Sequence, residues 1–384
     1  MIKKGVKIEP ITLGIIIFVL TYILMISLPN YRAHIAISSA ILFVILGLLP
    51  TSKVIPSIDF NVLMMIAGTM GIVALFIDSK MPSLLADIII DKMPNVKWVI
   101  IALSIFAGII SAFVDNVATV LMVAPVAVTI ARKLGISPIK SVIAISIASN
   151  LQGAATLVGD TTSILLGGYA KMNFMDFIWF QGKPGMFFIV QIAMLAATCV
   201  LYFVFRKDNQ TIVMQEKTKV TDFFPTVLLV AVILCLIIAS FLPNMPKLIN
   251  GIICMVLLLI GLVVQSMKHS FKDTFSSIWK EIDFFTLFLL AGLFVVIGGI
   301  TEVGVIDKIA ELFVSHGSNN IFVLYTIIVF SSVLLSAFID NIPYVATMLP
   351  VVAGISSKLG IDPTILYFGG CLYRICINLD IIWR

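Results

Sequence analysis

Long apolar runs alternate with short polar connections along the whole chain. Runs near residues 11–28, 33–49, 60–78, 138–165, 185–205, 223–242, 247–266, 284–300 and 363–384 each read as a membrane-crossing helix. About twenty apolar residues in helical form span a hydrocarbon core of roughly 30 Å. The runs are continuous rather than alternating residue by residue, which points to helices and away from a β-barrel. Two regions, 97–132 and 320–358, follow a different pattern. Each is an apolar arm, a polar Asp–Asn pair with small neighbours, and a second apolar arm. The arms together are too long for one straight span. The polar middle cannot face lipid, where each unsatisfied group costs several kcal/mol. The pattern predicts a re-entrant helical hairpin with its tip buried in protein.

The two hairpins are copies of one another. SAFVDNVATVLMVAPVAVTIARKLGISP (111–138) aligns without gaps on SAFIDNIPYVATMLPVVAGISSKLGIDP (336–363), with about half the positions identical. Upstream, IDF and AG at 58–60 and 67–68 match IDF and AG at 282–284 and 291–292, and LPN at 28–30 matches LPN at 242–244. Helix packing alone demands periodicity, not identity, so an internal repeat is the simpler account. The chain divides into a first transmembrane repeat (1–205), a polar linker (206–222) and a second repeat (223–384). Five crossings plus one hairpin per half is an odd number of crossings, so the second half enters the membrane inverted. Inverted repeats of this kind mark secondary transporters.

Composition agrees with lipid as the solvent. The chain of 384 residues is 60% hydrophobic and 12% charged, against about 25% charged in soluble domains. The net charge of +5 is spread over the connections, with no basic block interleaved with aromatics, so no nucleic-acid partner is expected. With the N-terminus outside, the inner loops collect Arg32, Lys80, Arg132, Lys140, Arg206 and Lys268 among others, as the positive-inside bias predicts. Lys3, Lys4 and Lys7 run the other way. The basic start precedes an apolar run without an AxA-like cleavage site and reads as a first span. The five cysteines fall in apolar segments without a CxxC pair and read as small buried hydrophobes. The expected location is the cytoplasmic membrane, as a multi-pass protein.

Ionisable groups inside a membrane are costly and mostly functional. Asp115 and Asp340 recur by symmetry, and a buried aspartate there is either a proton carrier or a ligand of a hard cation. Asn116 and Asn341 follow them, each with a carbonyl oxygen and an amide donor. Thr119 and Thr347 add hydroxyls, although they are not aligned partners; Ser111 and Ser336 cap or pack. A second constellation is SNLQGAATLVGDTTSILLGG, Ser149–Gly168. Small residues, Gly153 among them, interrupt an apolar run. An unwound turn there would free carbonyls for Na⁺ and present helix N-termini to an anion. Asn150, Thr156, Asp160, Thr161 and Thr162 are its polar side chains. Asp160 is expected nearer the membrane surface than Asp115. Candidate Na⁺ ligands are Asn116, Asn150, Thr156 and Asn341, and no other cofactor is indicated.

SAFVDNVATVLMVAPV followed by SNLQGAATLVGDTTSILL resembles the ion transporter superfamily. The nearest likeness is to the branch of arsenite permeases and NhaD-type sodium/proton antiporters, with citrate and dicarboxylate transporters more distant. The resemblance implies two inverted halves, each with a re-entrant hairpin and a broken span, an elevator-like movement, and often a homodimer. It places the hairpin tips at Asp115–Asn116 and Asp340–Asn341 and the first broken span at Gly153–Asp160. Dicarboxylate transporters carry Ser-Asn-Thr at the tips. Aspartate in both tips would repel a dianion in a low-dielectric site, which favours cation exchange or a weakly charged oxyacid. After Gly369–Gly370 the chain reads CLYRICINLDIIWR, where the family has a second glycine- and threonine-rich break. About 45 residues, including the last span of the inverted-repeat plan, are expected to be missing through truncation or a frame shift.

The leading expectation is a secondary active transporter of a small ion coupled to Na⁺ or H⁺, with arsenite efflux and Na⁺/H⁺ antiport as specific forms. A cation-coupled citrate or dicarboxylate transporter is the alternative. An intramembrane aspartyl protease lacks its GxGD pattern here, since Leu157 stands two before Gly159. A passive channel remains the third class. GxxxxGK[ST] is missing from the chain, so any ATP dependence would come from an external ATPase subunit.

Overall fold

The computed structural model describes residues 9–135, 137–211, 218–220, 222–242, 245–268, 270–316, 321–336, 340–364 and 366–367. Among these residues the regular structure is helical apart from a short hairpin of two strands, Trp179–Phe180 with Lys183–Pro184. Seventeen α-helices follow one another. The first copy of the repeat supplies α1 (Pro10–Ser27), α2 (Arg32–Ile45), α3 (Thr51–Ser57), α4 (Phe60–Asp78), α5 (Met81–Lys92), α6 (Val96–Ser111), α7 (Asn116–Lys133), α8 (Ile139–Gly153), α9 (Thr161–Ala170) and α10 (Met186–Val204). The second supplies α11 (Phe224–Phe241), α12 (Ile249–Lys268), α13 (Phe271–Glu281), α14 (Phe284–Glu302), α15 (Val305–His316), α16 (Ile321–Ser336) and α17 (Asn341–Leu359).

Several helices at matched places in the two halves of the sequence have equal lengths. α4 and α14 both have 19 residues, α5 and α15 both 12, and α6 and α16 both 16. α7 and α17 carry a proline at the matched positions Pro125 and Pro350. Each is followed by a glycine in the left-handed region, Gly135 at φ 65° and Gly360 at φ 64°. A side chain would make that conformation costly, so both copies keep glycine where the helix must stop.

Seven described helices are long and apolar enough to cross a membrane: α1, α4, α10, α11, α12, α14 and α17. The expected span at 33–49 is a shorter helix of 14 residues, α2. The expected span at 138–165 is broken into α8 and α9, as the run of small residues suggested. Both Asp–Asn regions form helix pairs, although α17 by itself has the length of a full span. The short helices α3, α5, α13 and α15 lie in stretches that read as connections. The expected span at 363–384 and the proposed C-terminal loss fall outside the described residues, apart from the stretch up to Tyr367.

The helices group into two units. One takes the described residues of 1–63 and 284–373, the other those of Met64–Asp283. Each unit therefore draws helices from both copies. In the first, α2 and α14 approach so closely that a methyl on Gly292 would lie 2.7 Å from the Ala36 carbonyl carbon. The ring of fully buried Phe43 rests on Gly299, within a core that includes Ile17, Ala40, Val296 and Ile300. In the second, α6, α7 and α8 share a core of Leu103, Ala107, Val123, Ala127 and Ile145. Gly68 of α4 lies against Cys254 of α12. Small residues at such crossings let dispersion contacts hold helices together where lipid removes the hydrophobic driving force. Cys254 is buried as expected, whereas Cys199 is exposed.

Candidate functional site

Four helix ends of the second unit meet at the first hairpin and the break that follows it. α6 ends at Ser111 and α8 at Gly153, while α7 and α9 begin at Asn116 and Thr161. Aspartates cap the two starts. Asp115 Oδ2 accepts from the Val117 and Ala118 amides at 2.9 Å and 3.3 Å, and Asp160 Oδ1 accepts from the Thr162 amide at 3.3 Å. A carboxylate at this position satisfies orphan N–H groups and complements the helix dipole.

The two helix ends that finish here leave carbonyls to be satisfied, and they converge on Gly159. A methyl on that residue would lie 2.6 Å from the Gly153 carbonyl oxygen and 2.8 Å from each of those of Ser111 and Ala112. The Thr156 hydroxyl donates to the Ala112 carbonyl, tying the break to the hairpin tip. Across the same region the Asn116 amide donates to Asn150 Oδ1, and the Ser149 hydroxyl donates to the Asn116 carbonyl at 3.1 Å. The Ser163 hydroxyl reaches the Gly153 carbonyl at 3.2 Å. Gln152 and Gln191 exchange amide hydrogen bonds, which fastens α8 to α10. The hydroxyls of Ser111, Thr119 and Ser146 are buried without a hydrogen-bond partner among the described residues. Uncommon in a native interior, such groups invite a ligand or water.

Asp115, Asn116, Thr119, Asn150, Gly153, Thr156, Asp160 and Thr161 therefore belong to one cluster of helix ends. The two carboxylates differ in burial within the protein. Asp160 is only 3% exposed, whereas Asp115 is partly exposed. The break folds back over the end of α8, with the Asp160 carboxylate against Gly153.

The remaining pair, Asp340 and Asn341, lies in the other unit, and here the symmetry of the letters fails. Asp340 precedes α17 as Asp115 precedes α7, yet its side chain caps nothing. The residue matching Ala118 is Pro343, which has no N–H to offer. The carboxylate turns instead to Arg32, with Nη1 at 2.5 Å from Oδ2. Arg32 is not a loop charge: it is the first residue of α2, its side chain is 10% exposed, and Nε donates to the Met25 carbonyl at 3.2 Å. The Tyr22 hydroxyl donates to the Pro343 carbonyl at 2.8 Å and pairs with the Thr347 hydroxyl. Asp340 thus has a cationic side chain beside it within its own unit. A permanently charged guanidinium already answers its charge. Arg32 and Tyr22 escaped the sequence reading because nothing in a one-dimensional pattern links positions so far apart.

The CitMHS family model, described as citrate transporter, matches residues 20–369. The chain is similar to the uncharacterized transporter Rv2684 of Mycobacterium tuberculosis, 29% identical over 360 residues that cover 91% of this chain and 82% of that protein. Rv2685 of the same organism is 28% identical over 349 residues, covering 88% and 80%. The magnetosome protein MamN of Magnetospirillum gryphiswaldense is 28% identical over 293 residues, covering 72% and 64%. The crystal structure of the Alcanivorax borkumensis YdaH transporter shares the fold, with a TM-score of 0.55 and 13% identity over 96% of this chain and 86% of that one. The superfamily resemblance thus stands, and the family model that matches is the citrate transporter one. Seven helices among the described residues are long and apolar enough to cross a membrane, in keeping with this match: the chain belongs to the CitMHS citrate transporter family, a family of membrane transporters and not of enzymes.

Proposed function

We propose that the protein is a secondary active transporter that binds its coupling cation, Na⁺ or H⁺, where α6, α7, α8 and α9 meet. The observation that carries this reading is the convergence of the Ser111, Ala112 and Gly153 carbonyls on Gly159. Two helix C-termini bring partial negative charge to that point, and Asp160 adds a full charge beside them. Oxygens of Asn116, Asn150 and Thr156 complete a set suited to a hard cation, which prefers oxygen ligands. Asp115 holds the start of α7 in place. The two copies act as inverted repeats, with α6–α7 and α16–α17 as re-entrant hairpins, in a homodimer of the cytoplasmic membrane.

The cargo in this reading is a small carboxylate or oxyanion. Family membership supports citrate. Arg32 offsets the charge of Asp340, which lessens the repulsion expected from that tip. Uptake into proteoliposomes tests the reading, with labelled citrate, arsenite and sodium offered in parallel under an imposed Na⁺ or pH gradient. Accumulation of one cargo against its gradient, driven by one of the two cations, is the expected result. Flux indifferent to both gradients would mean a channel or uniporter. Arsenite moving while citrate does not would return the cargo to the arsenite branch. Cysteine accessibility at both hairpin tips, probed from each side, tests the inverted arrangement.

A further inference from the structure

The side chains of the short helix α13 divide by direction. At about 100° of turn per residue, Thr274 and Ile278 share one face, and both are buried. The Ser277 hydroxyl donates to Asp78 at the end of α4, and a methyl on Gly71 of α4 would lie 3.3 Å from Ile278. Phe271, Phe275 and Trp279 fall on the neighbouring face. Their rings stack in a ladder, with centroids 5.9 Å and 5.5 Å apart. They are 60%, 42% and 54% exposed. Lys272 and Lys280, both exposed, come next around the helix, ahead of the acids Asp273 and Glu281.

The neighbours of α13 fix its level. α4 and α12 are both long and apolar enough to cross a membrane, and they end in the charged residues Asp78 and Lys268. α13 begins just after Lys268 and is bonded to Asp78, so it runs where two spans leave the hydrocarbon. Ile278 reaches back to Gly71, about two turns inside the end of α4. The helix is therefore sunk beside the span ends rather than held above them. Lys268 is already engaged by Asp222. The repeat does not require this chemistry. Counting back from the matched IDF, Gly47, Thr51 and Ile55 stand in place of the three rings, and Leu48 and Pro56 in place of the two lysines.

We propose that α13 is a lipid-recognition element. Its aromatic ladder seats in the bilayer interface, and Lys272 and Lys280 bind the phosphates of anionic phospholipids. The occupant follows from placement and charge. Rings exposed at the hydrocarbon boundary meet acyl chains and headgroups, where Trp is enriched. Helices with aromatics on one face and lysines on the other lie in that plane, the apolar face sunk about 5–10 Å. Lysines at a membrane surface attract anionic headgroups, whereas zwitterionic ones offer no net charge.

Trp279 fluorescence tests this in the full-length protein, with the other three tryptophans replaced by phenylalanine. The protein is reconstituted in equimolar phosphatidylcholine and phosphatidylglycerol, with brominated acyl chains on one lipid or the other. Both are expected to quench Trp279, brominated phosphatidylglycerol several-fold more strongly. In the double variant Lys272→Gln with Lys280→Gln, quenching should persist and the preference disappear. Trp279→Phe in the otherwise native chain should lose the same quenched component, which keeps the test independent of the other replacements. Equal quenching by the two lipids overturns the recognition of anionic headgroups, and a preference that survives loss of both lysines overturns their role. Quenching by aqueous acrylamide but by neither lipid overturns the seating in the bilayer. So does a Trp279 shielded from all three, because a protein surface such as a second copy would then cover the ladder.

Discussion

Gly159 stands so close to Gly153 that a methyl on its Cα would lie 2.6 Å from the Gly153 carbonyl oxygen. With the Ser111 and Ala112 carbonyls at 2.8 Å, three chain segments meet at one hydrogen atom's clearance. Gly159→Ala must push at least one of them away. Overpacking of this kind costs about 1–3 kcal/mol, and the carbonyls it displaces are those proposed to face the cation. The expected outcome is a folded, less heat-stable protein that has lost its cation dependence. Cation-driven uptake equal to wild type would separate Gly159 from the coupling site.

Asn116 and Asn150 join the start of α7 to the last turn of α8. Asn150→Ala leaves the buried Asn116 amide without that acceptor, at about 1–3 kcal/mol. Melting in detergent is expected to fall, and sodium- or proton-driven uptake to be lost. An Asn150→Ala protein that melts lower but retains full coupling would make the pair structural only.

Gln152 and Gln191 face each other with hydrogen bonds of 3.0 Å and 2.9 Å in opposite directions. Side-chain hydrogen bonds between helices in membranes average about 0.6 kcal/mol and reach about 1.7. A double-mutant cycle with Gln152→Leu and Gln191→Leu should give a coupling energy in that range, the double variant being more stable than the summed single losses imply. Strict additivity in unfolding measurements would show that the amides do not interact.

Asp222, just ahead of α11, sits under the end of α12. Burial pushes its carboxyl upward in pKa. Hydrogen bonds from Lys268 at 2.8 Å and 2.9 Å, the Phe224 amide at 3.0 Å and Gln265 at 2.9 Å more than offset this and hold it below the usual aspartate value. A group with a lowered folded pKa contributes stability above its unfolded pKa and loses it as pH falls through the folded value. The melting temperature should therefore drop on acidification below the ordinary carboxylate range. Asp222→Asn should show a shallower drop together with a lower plateau near neutrality. An unchanged acid profile in that variant would remove Asp222 from the pH response.

Much of the architecture was legible because it follows from local chemistry. A stretch of twenty apolar residues has few alternatives to a spanning helix, and α1, α4, α10, α11, α12 and α14 lie where the runs lie. Asp115 and Asp160 cap the starts of α7 and α9, a role that the reading of the letters did not give them. The short helices α5 and α13 were read as connections because their charged residues interrupt hydropathy. Their helical period became visible only when one face found a partner: Asp87 of α5 accepts from the Thr218 amide at 2.8 Å, and Ser277 of α13 bonds Asp78.

The sequence by itself determined that this chain lives in lipid, that it is built twice over, and that polar hairpin tips and one broken helix interrupt its spans. Those properties depend on composition, period and identity along the chain. Only the tertiary structure decided that the two tips differ. Asp115 turns to its own helix, and Asp340 turns to Arg32, 308 positions away. The physical reason is that a carboxylate takes its partner from whatever donor the fold brings within about 3 Å. Pro343 withholds one such donor, and the packing of α2 supplies another. That exchange cannot be seen until both are in place.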